Sequence, residues 1–248
     1  PYPNAVGLYL GPIVILSIVM IFRSAWKGKQ LANYGWLILL ILSVAAVIFS
    51  KTEAAWLAVP AALLVTSFLL PRAKYLTIPF TIVLVLVIGF IPGLRDPLLQ
   101  KVTLQDYSGQ VRISQWEDTW SMVEEVPITG AGLSGYPLMF TGFNTHEEIE
   151  VFQYPHNIIL NVWTELGLLG LIALLSLALI VLKTFWKGRR SDNKMFWISA
   201  TCFVILLEMS IHGLVDVPYF KNDLAMMTWG ILAIFFVASN TYVSENQE

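Results

Sequence analysis

The sequence predicts an all-α, polytopic membrane helix bundle of about seven spans, with a partly helical extracytoplasmic cap between the fourth and fifth spans. Three observations predict it. Of 248 residues, 56% are hydrophobic and only 13% charged, with a mean hydropathy of +0.68, which is not the composition of an ordinary soluble domain. The apolar residues gather into runs close to the length of about 17 to 25 residues that a bilayer requires. Lys and Arg concentrate in alternate connections between those runs.

The first run, 5–22, begins within a few residues of Pro1, and no signal peptide precedes it in this sequence. Runs at 31–49, 54–70 and 75–91 follow, so residues 1–91 are expected to form four spans. Residues 92–156 break the pattern with Pro, Gly and acidic residues, yet keep enough Trp, Ile, Val and Leu to fold as a cap. Runs at 157–182, 195–217 and 224–240 give three more spans, and 241–248 is left as a short cytoplasmic tail. Ten of the 15 Lys and Arg residues are Arg23, Lys27, Lys29, Arg72, Lys74, Lys183, Lys187, Arg189, Arg190 and Lys194. They assign their three connections to the cytoplasm. The turns at 50–53 and 218–223 and the cap then lie outside, and the alternation is free of contradiction. A net charge of −2 says little about partners beyond the lipid bilayer, and nucleic acid is not expected among them. The lone Cys202 sits in an apolar run and reads as a small buried hydrophobe.

Within the cap, Arg112, Trp116, Thr119, Trp120 and Val123 follow a helical period between Ser108 and Glu125, with Glu117, Asp118, Glu124 and Glu125 largely elsewhere around the helix. This predicts an amphipathic helix that lies on the membrane surface or packs the cap down. Arg112 shares a face with two tryptophans, and a buried guanidinium needs an anion. Gly130, Gly132 and Gly135 match the dinucleotide-binding pattern formally, but a helix precedes them and Tyr136-Pro137 follows, so the strand–turn–helix context is absent. These glycines read as a tight turn permitting close backbone approach to another segment or to a phosphate. His146, Glu147, Glu148 and Glu150 read as a solvated loop, and no metal site is assigned.

Where the cap meets the fifth span, Pro155-His156-Asn157 opens a helix on which Asn157, Asn161, Thr164, Glu165 and Leu168 fall on one side. Asn157 suits the helix cap. His156 is expected to be exposed and addressable, an imidazole able to take a proton from a hydroxyl or, on the plainer reading, to anchor the interface. Glu165 lies about 12 Å along the helix, where a carboxylate requires a partner, a proton or a wet cleft. In the sixth span Glu208, His212 and Asp216 recur every four residues and form a second polar ridge, read as helix-to-helix bonding or as part of a cleft.

His156-Asn157, the following Leu160, and Glu165-Leu166-Gly167-Leu168-Leu169-Gly170 resemble the signature of the bacterial O-antigen ligase and O-antigen polymerase superfamily. In the family's order, Arg112 and Trp116 match an Arg and a Trp of the large periplasmic loop. Pro127-Ile128-Thr129-Gly130-Ala131-Gly132 matches its Pro-x-x-Gly-x-Gly turn, and His212-Gly213-Leu214-Val215-Asp216-Val217-Pro218 is similar to its penultimate-span motif. Many members carry an Arg in the turn near 50–55, where this chain has Lys51 and Glu53, so Lys51 stands in as a point charge. The resemblance implies a metal-independent, inverting glycosyltransferase of the bacterial cytoplasmic (inner) membrane, with no cofactor and no nucleotide sugar. Its donor is a polyprenyl-diphosphate-linked glycan; its acceptor is another glycan, lipid A core or a protein. It implies His156 as general base, Arg112 on the diphosphate, and Lys51, Asn157, Glu165, His212 and Asp216 as substrate-binding or orienting residues. The family generally has more spans, so an amino-terminal portion is expected before Pro1. Two alternatives stay open: a carrier or flippase for lipid-linked glycans, and a noncatalytic subunit of a polysaccharide assembly complex. The clustering of polar groups toward the external half favours chemistry there over alternating access.

Overall fold

The computed structural model describes residues 3–26, 30–69, 102–146, 150–188 and 194–245, with single positions and pairs between 78 and 100. The described residues form helices and no strands: α1 (Pro3–Trp26), α2 (Gln30–Phe49), α3 (Glu53–Leu69), α4 (Tyr107–Glu125), α5 (Tyr136–Phe140), α6 (Ile158–Gly188), α7 (Lys194–His212) and α8 (Asn222–Glu245). Most of the expected span at 75–91 lies outside them, as do Lys27, Lys29, Arg72, Lys74, Glu147, Glu148, Arg189 and Arg190. Among the described residues, four stretches are long and apolar enough to cross a membrane: Asn4–Arg23, Ile158–Gly188, Lys194–His212 and Asn222–Thr241. Within α2 and α3, the shorter stretches Tyr34–Phe49 and Ala54–Ser67 are also apolar. Many large apolar side chains of α6 face away from the protein core: Leu169 is 74% exposed, and Ile172, Leu175 and Leu179 are also exposed, whereas Val162, Val181 and Phe185 are buried. Such a surface is stable against lipid.

Two compact units divide the chain. The first comprises Pro1–Ile88, Leu182–His212 and Pro218–Glu248. Its core joins Val14, Ile15 and Ile18 of α1, Ala62 and Leu63 of α3, and Val204, Ile205 and Met209 of α7. Gly7 and Gly11 let α1 approach closely, the first against Thr52 and the second against the Glu208 carboxylate. Cys202 is buried, as its apolar setting predicts.

The second unit comprises Gly89–Val181 and Gly213–Val217. Met122 and Val123 of α4 pack there with Tyr136 and Phe140 of α5. Asp106 caps α4 by accepting from the Ser108 N–H at 3.0 Å. The buried face of α4 differs from the expected one: Gln115, Asp118, Thr119, Met122 and Val123 are buried, whereas Trp120 is half exposed. Asp118 can be buried because the Thr145 N–H and hydroxyl donate to its carboxylate at 3.1 and 2.8 Å.

Several boundaries also depart from expectation, among them that of α6, which continues past the expected end at 182 to Gly188. The run at 195–217 is not one helix, because α7 ends at His212 and the chain turns from Gly213, whose carbonyl accepts from the Ile158 N–H at 2.7 Å. At the other end, α8 continues to Glu245 and takes up most of the expected tail.

Candidate active site

The second unit brings together residues from α4, from the segment preceding α6, and from the turn 213–217. Asn157 fixes the start of α6, its side-chain oxygen accepting from the Ile159 and Leu160 N–H groups at 2.9 and 3.1 Å. Its amide nitrogen donates to the Leu214 carbonyl at 3.0 Å, so both ends of this side chain are engaged. The preceding residue, His156, has φ +49, a left-handed conformation unusual for a non-glycine residue. Strain of this kind persists only where surrounding contacts enforce it. The Trp116 indole supplies one, donating to the Pro155 carbonyl at 2.8 Å.

The His156 imidazole is half-buried rather than fully exposed, because two rings flank it. Tyr154 lies 4.4 Å away centroid to centroid and Phe152 meets it edge-on at 5.0 Å. One ring nitrogen, Nδ1, stands 3.3 Å from the Gln115 side-chain oxygen. The orientation of Gln115 follows from its other partners. Its amide nitrogen is 3.0 Å from the Tyr154 carbonyl, which can only accept, and 3.2 Å from the Tyr136 hydroxyl. The nitrogen therefore faces Tyr154 and the oxygen faces His156.

The surrounding hydroxyls agree. Thr119 donates to the backbone carbonyl of Gln115 at 2.6 Å, which uses its single hydrogen. The Tyr136 hydroxyl must then donate to Thr119 across 2.9 Å. Burial pushes the Tyr136 phenol well above its ordinary pKa, keeping it a donor. Each described hydrogen in this chain of bonds has one consistent direction.

Asp216 approaches from the turn 213–217. It is buried, and its Oδ1 accepts from the Tyr154 hydroxyl at 2.9 Å and from the Val217 N–H at 2.7 Å. Burial lowers the His156 pKa from its ordinary value; the Asp216 charge opposes this, the Arg112 charge adds to it, and a hydrogen bond to the Tyr154 carbonyl opposes it. A neutral imidazole is thus favoured. The Arg112 guanidinium Nε is buried without a hydrogen-bond partner.

A second construction lies at the break in α6. Gly167 has φ +62 and ψ −162, which interrupts the helix within one turn of Thr164 and Glu165. The glycine turn docks there: the Ala131 N–H donates to the Thr164 carbonyl at 2.6 Å, and the Leu168 N–H donates to the Ile128 carbonyl at 3.2 Å. The Trp163 indole adds a bond to the Pro127 carbonyl at 2.9 Å. A Cβ on Gly130 would meet the Thr164 carbonyl at 2.5 Å, and one on Gly167 would collide with the Ile128 carbonyl. Among the three glycines of this turn, Gly130 makes the close approach to another segment, whereas Gly132 has open space around it. Asn161 and Thr164 are wholly buried and Glu165 is partly so, whereas Leu168 is exposed beyond the break.

The remaining candidates belong to the first unit. Lys51 is exposed in the turn between α2 and α3 at φ +53. His212 is buried, its Nδ1 3.5 Å from Glu208. The expected ridge therefore divides: Glu208 and His212 pair on α7, while Asp216 lies past the helix end. Gln115, Tyr154 and Tyr136 were not singled out by sequence, and Thr119 was marked only as part of the α4 face. Gln115 did carry a signal, since it lies three residues after Arg112 and four before Thr119 on a helix.

Comparison with known proteins follows the same segment. A family model described as O-antigen ligase matches residues 38–175, more than half of the chain. An uncharacterized protein of Haemophilus influenzae is 22% identical over 253 residues, covering 90% of this chain and 60% of the relative. The chain thus spans less than two thirds of that relative's length.

Proposed function

This multi-pass membrane chain belongs to the O-antigen ligase family, and from that premise we propose that it transfers a glycan from a polyprenyl-diphosphate carrier to an acceptor hydroxyl on the outer face of the cytoplasmic membrane. The observation that carries the proposal is the His156 environment: a half-buried imidazole held neutral, with the Arg112 Nε buried and unpartnered. In this reading the acceptor oxygen attacks the anomeric carbon as its proton passes to His156. The bond from that carbon to the carrier phosphate breaks, and the diphosphate leaves with the electron pair. One displacement inverts the anomeric centre.

Arg112 stabilises the negative charge that develops on the leaving diphosphate, where a fixed cation is most effective. Asp216 steadies the imidazolium formed in the step and fixes the Tyr154 ring against it. Asn157 holds the entry to α6, and Glu165 orients sugar hydroxyls or the turn beside it. His212, enclosed with Glu208, acts through packing. Lipid A core, another glycan and a protein hydroxyl are the three acceptor classes for the test.

The test uses the full-length protein in proteoliposomes with labelled polyprenyl-diphosphate glycan and one member of each acceptor class. Label is expected to move to one class. His156→Ala is expected to lose transfer by at least about 100-fold while donor binding is retained. Full transfer by His156→Ala would remove the general-base role, and transfer to none of the acceptors would remove the enzymatic reading.

A further inference from the structure

We propose that Gln115 is a positioning residue that selects the His156 tautomer with hydrogen on Nδ1, leaving the Nε2 lone pair as the one that accepts the acceptor's proton. The inference rests on the reading of His156 as general base and adds to it a residue and an atom. Neutral imidazole has two tautomers, and only one leaves a given nitrogen able to take a proton. The 3.3 Å contact with Nδ1 does not by itself say which group donates. Gln115 decides it through its far side, because the Tyr154 carbonyl claims its amide hydrogen at 3.0 Å and turns its oxygen toward the imidazole. An acceptor-only oxygen beside Nδ1 requires hydrogen on Nδ1.

The Gln115 amide cannot swing to the opposite orientation without opposing its oxygen to the Tyr154 carbonyl. That reversal would also remove its donor from the Tyr136 hydroxyl, whose own hydrogen is directed to Thr119. Gln115 is buried, so water does not substitute for these partners. The same amide bond steadies the Tyr154 carbonyl, which also faces the imidazole. Charged and titratable groups around His156 are the Asp216 carboxylate, the Arg112 guanidinium and the Tyr154 phenol. Gln115 is neutral, so it directs the proton while raising the imidazole's affinity for a second one less than a carboxylate would.

The experiment uses full-length protein in nanodiscs, labelled with ¹⁵N at histidine, with the His156 resonance identified by its loss in His156→Gln. The wild type is expected to show the Nδ1–H tautomer. Gln115→Leu is expected to give a mixed or reversed tautomer and to lower kcat about tenfold or more, with KM within about twofold. Gln115→Glu keeps the acceptor and is expected to keep the tautomer, while its charge raises the imidazole pKa and moves the acidic limb of kcat/KM to higher pH. An Nε2–H wild-type resonance overturns the proposal. So does a folded Gln115→Leu protein with wild-type tautomer or wild-type kcat; should that variant not fold, loss of the Nδ1–H tautomer in Gln115→Glu does the same. An active His156→Ala protein sinks the general-base reading itself, whatever the spectra show.

Discussion

His156 illustrates how little of a site resides in one side chain. Its sequence context marks it as a titratable group at a helix entrance, but its chemistry is set by burial, by Asp216 and by Arg112. Opposite pH shifts are therefore expected from two substitutions. The Asp216 charge favours the protonated imidazole, so Asp216→Asn should lower the His156 pKa and move the acidic limb of kcat/KM to lower pH. The Arg112 charge disfavours it, so Arg112→Ala should move that limb to higher pH and weaken donor use as well. Shifts in the same direction would exclude electrostatic control by this pair. Arg112 was recognisable as a cation placed among tryptophans. Tyr154 was not, because its contacts with His156 and Asp216 leave no periodic trace in the chain.

The α6 helix shows the same division at the level of an element. Its apolar character and Asn157 cap are local properties, and both were legible, whereas the helix continues past the expected end at 182 to Gly188. The break at Gly167 was not legible, since a glycine within an apolar run is also compatible with continuous helix. It becomes intelligible only with the turn 127–132 in place, whose backbone supplies bonds that the interrupted helix lacks. Gly167→Ala and Gly130→Ala each face both positive φ and a backbone obstruction, and each should destabilise the fold by about 1–3 kcal/mol or more. Gly132 has φ +85 with open space around it, so Gly132→Ala should cost only about 1 kcal/mol. Thermal unfolding in nanodiscs checks the order; equal effects at all three positions would reject the docking role. Asn157→Ala should also lose about 1 kcal/mol through the cap.

For the molecule as a whole, we propose the topology given by the Lys and Arg distribution, with the 92–156 segment outside and Lys183 and Lys187 inside. In a Cys202→Ala background, cysteine placed at the exposed Thr141 should react with an impermeant thiol reagent added to intact cells. Cysteine at Lys187 should react only after permeabilisation. The reverse pattern would move the proposed chemistry to the cytoplasmic face. The sequence by itself determined an all-helical membrane protein and singled out His156 and Arg112, because composition and helical period are properties of neighbouring residues. Tertiary structure alone decided that Gln115 meets His156 across 41 positions and Tyr154 meets Asp216 across 62. Hydrogen bonds depend on distances of a few ångströms, which the path of the chain sets and a helical period does not.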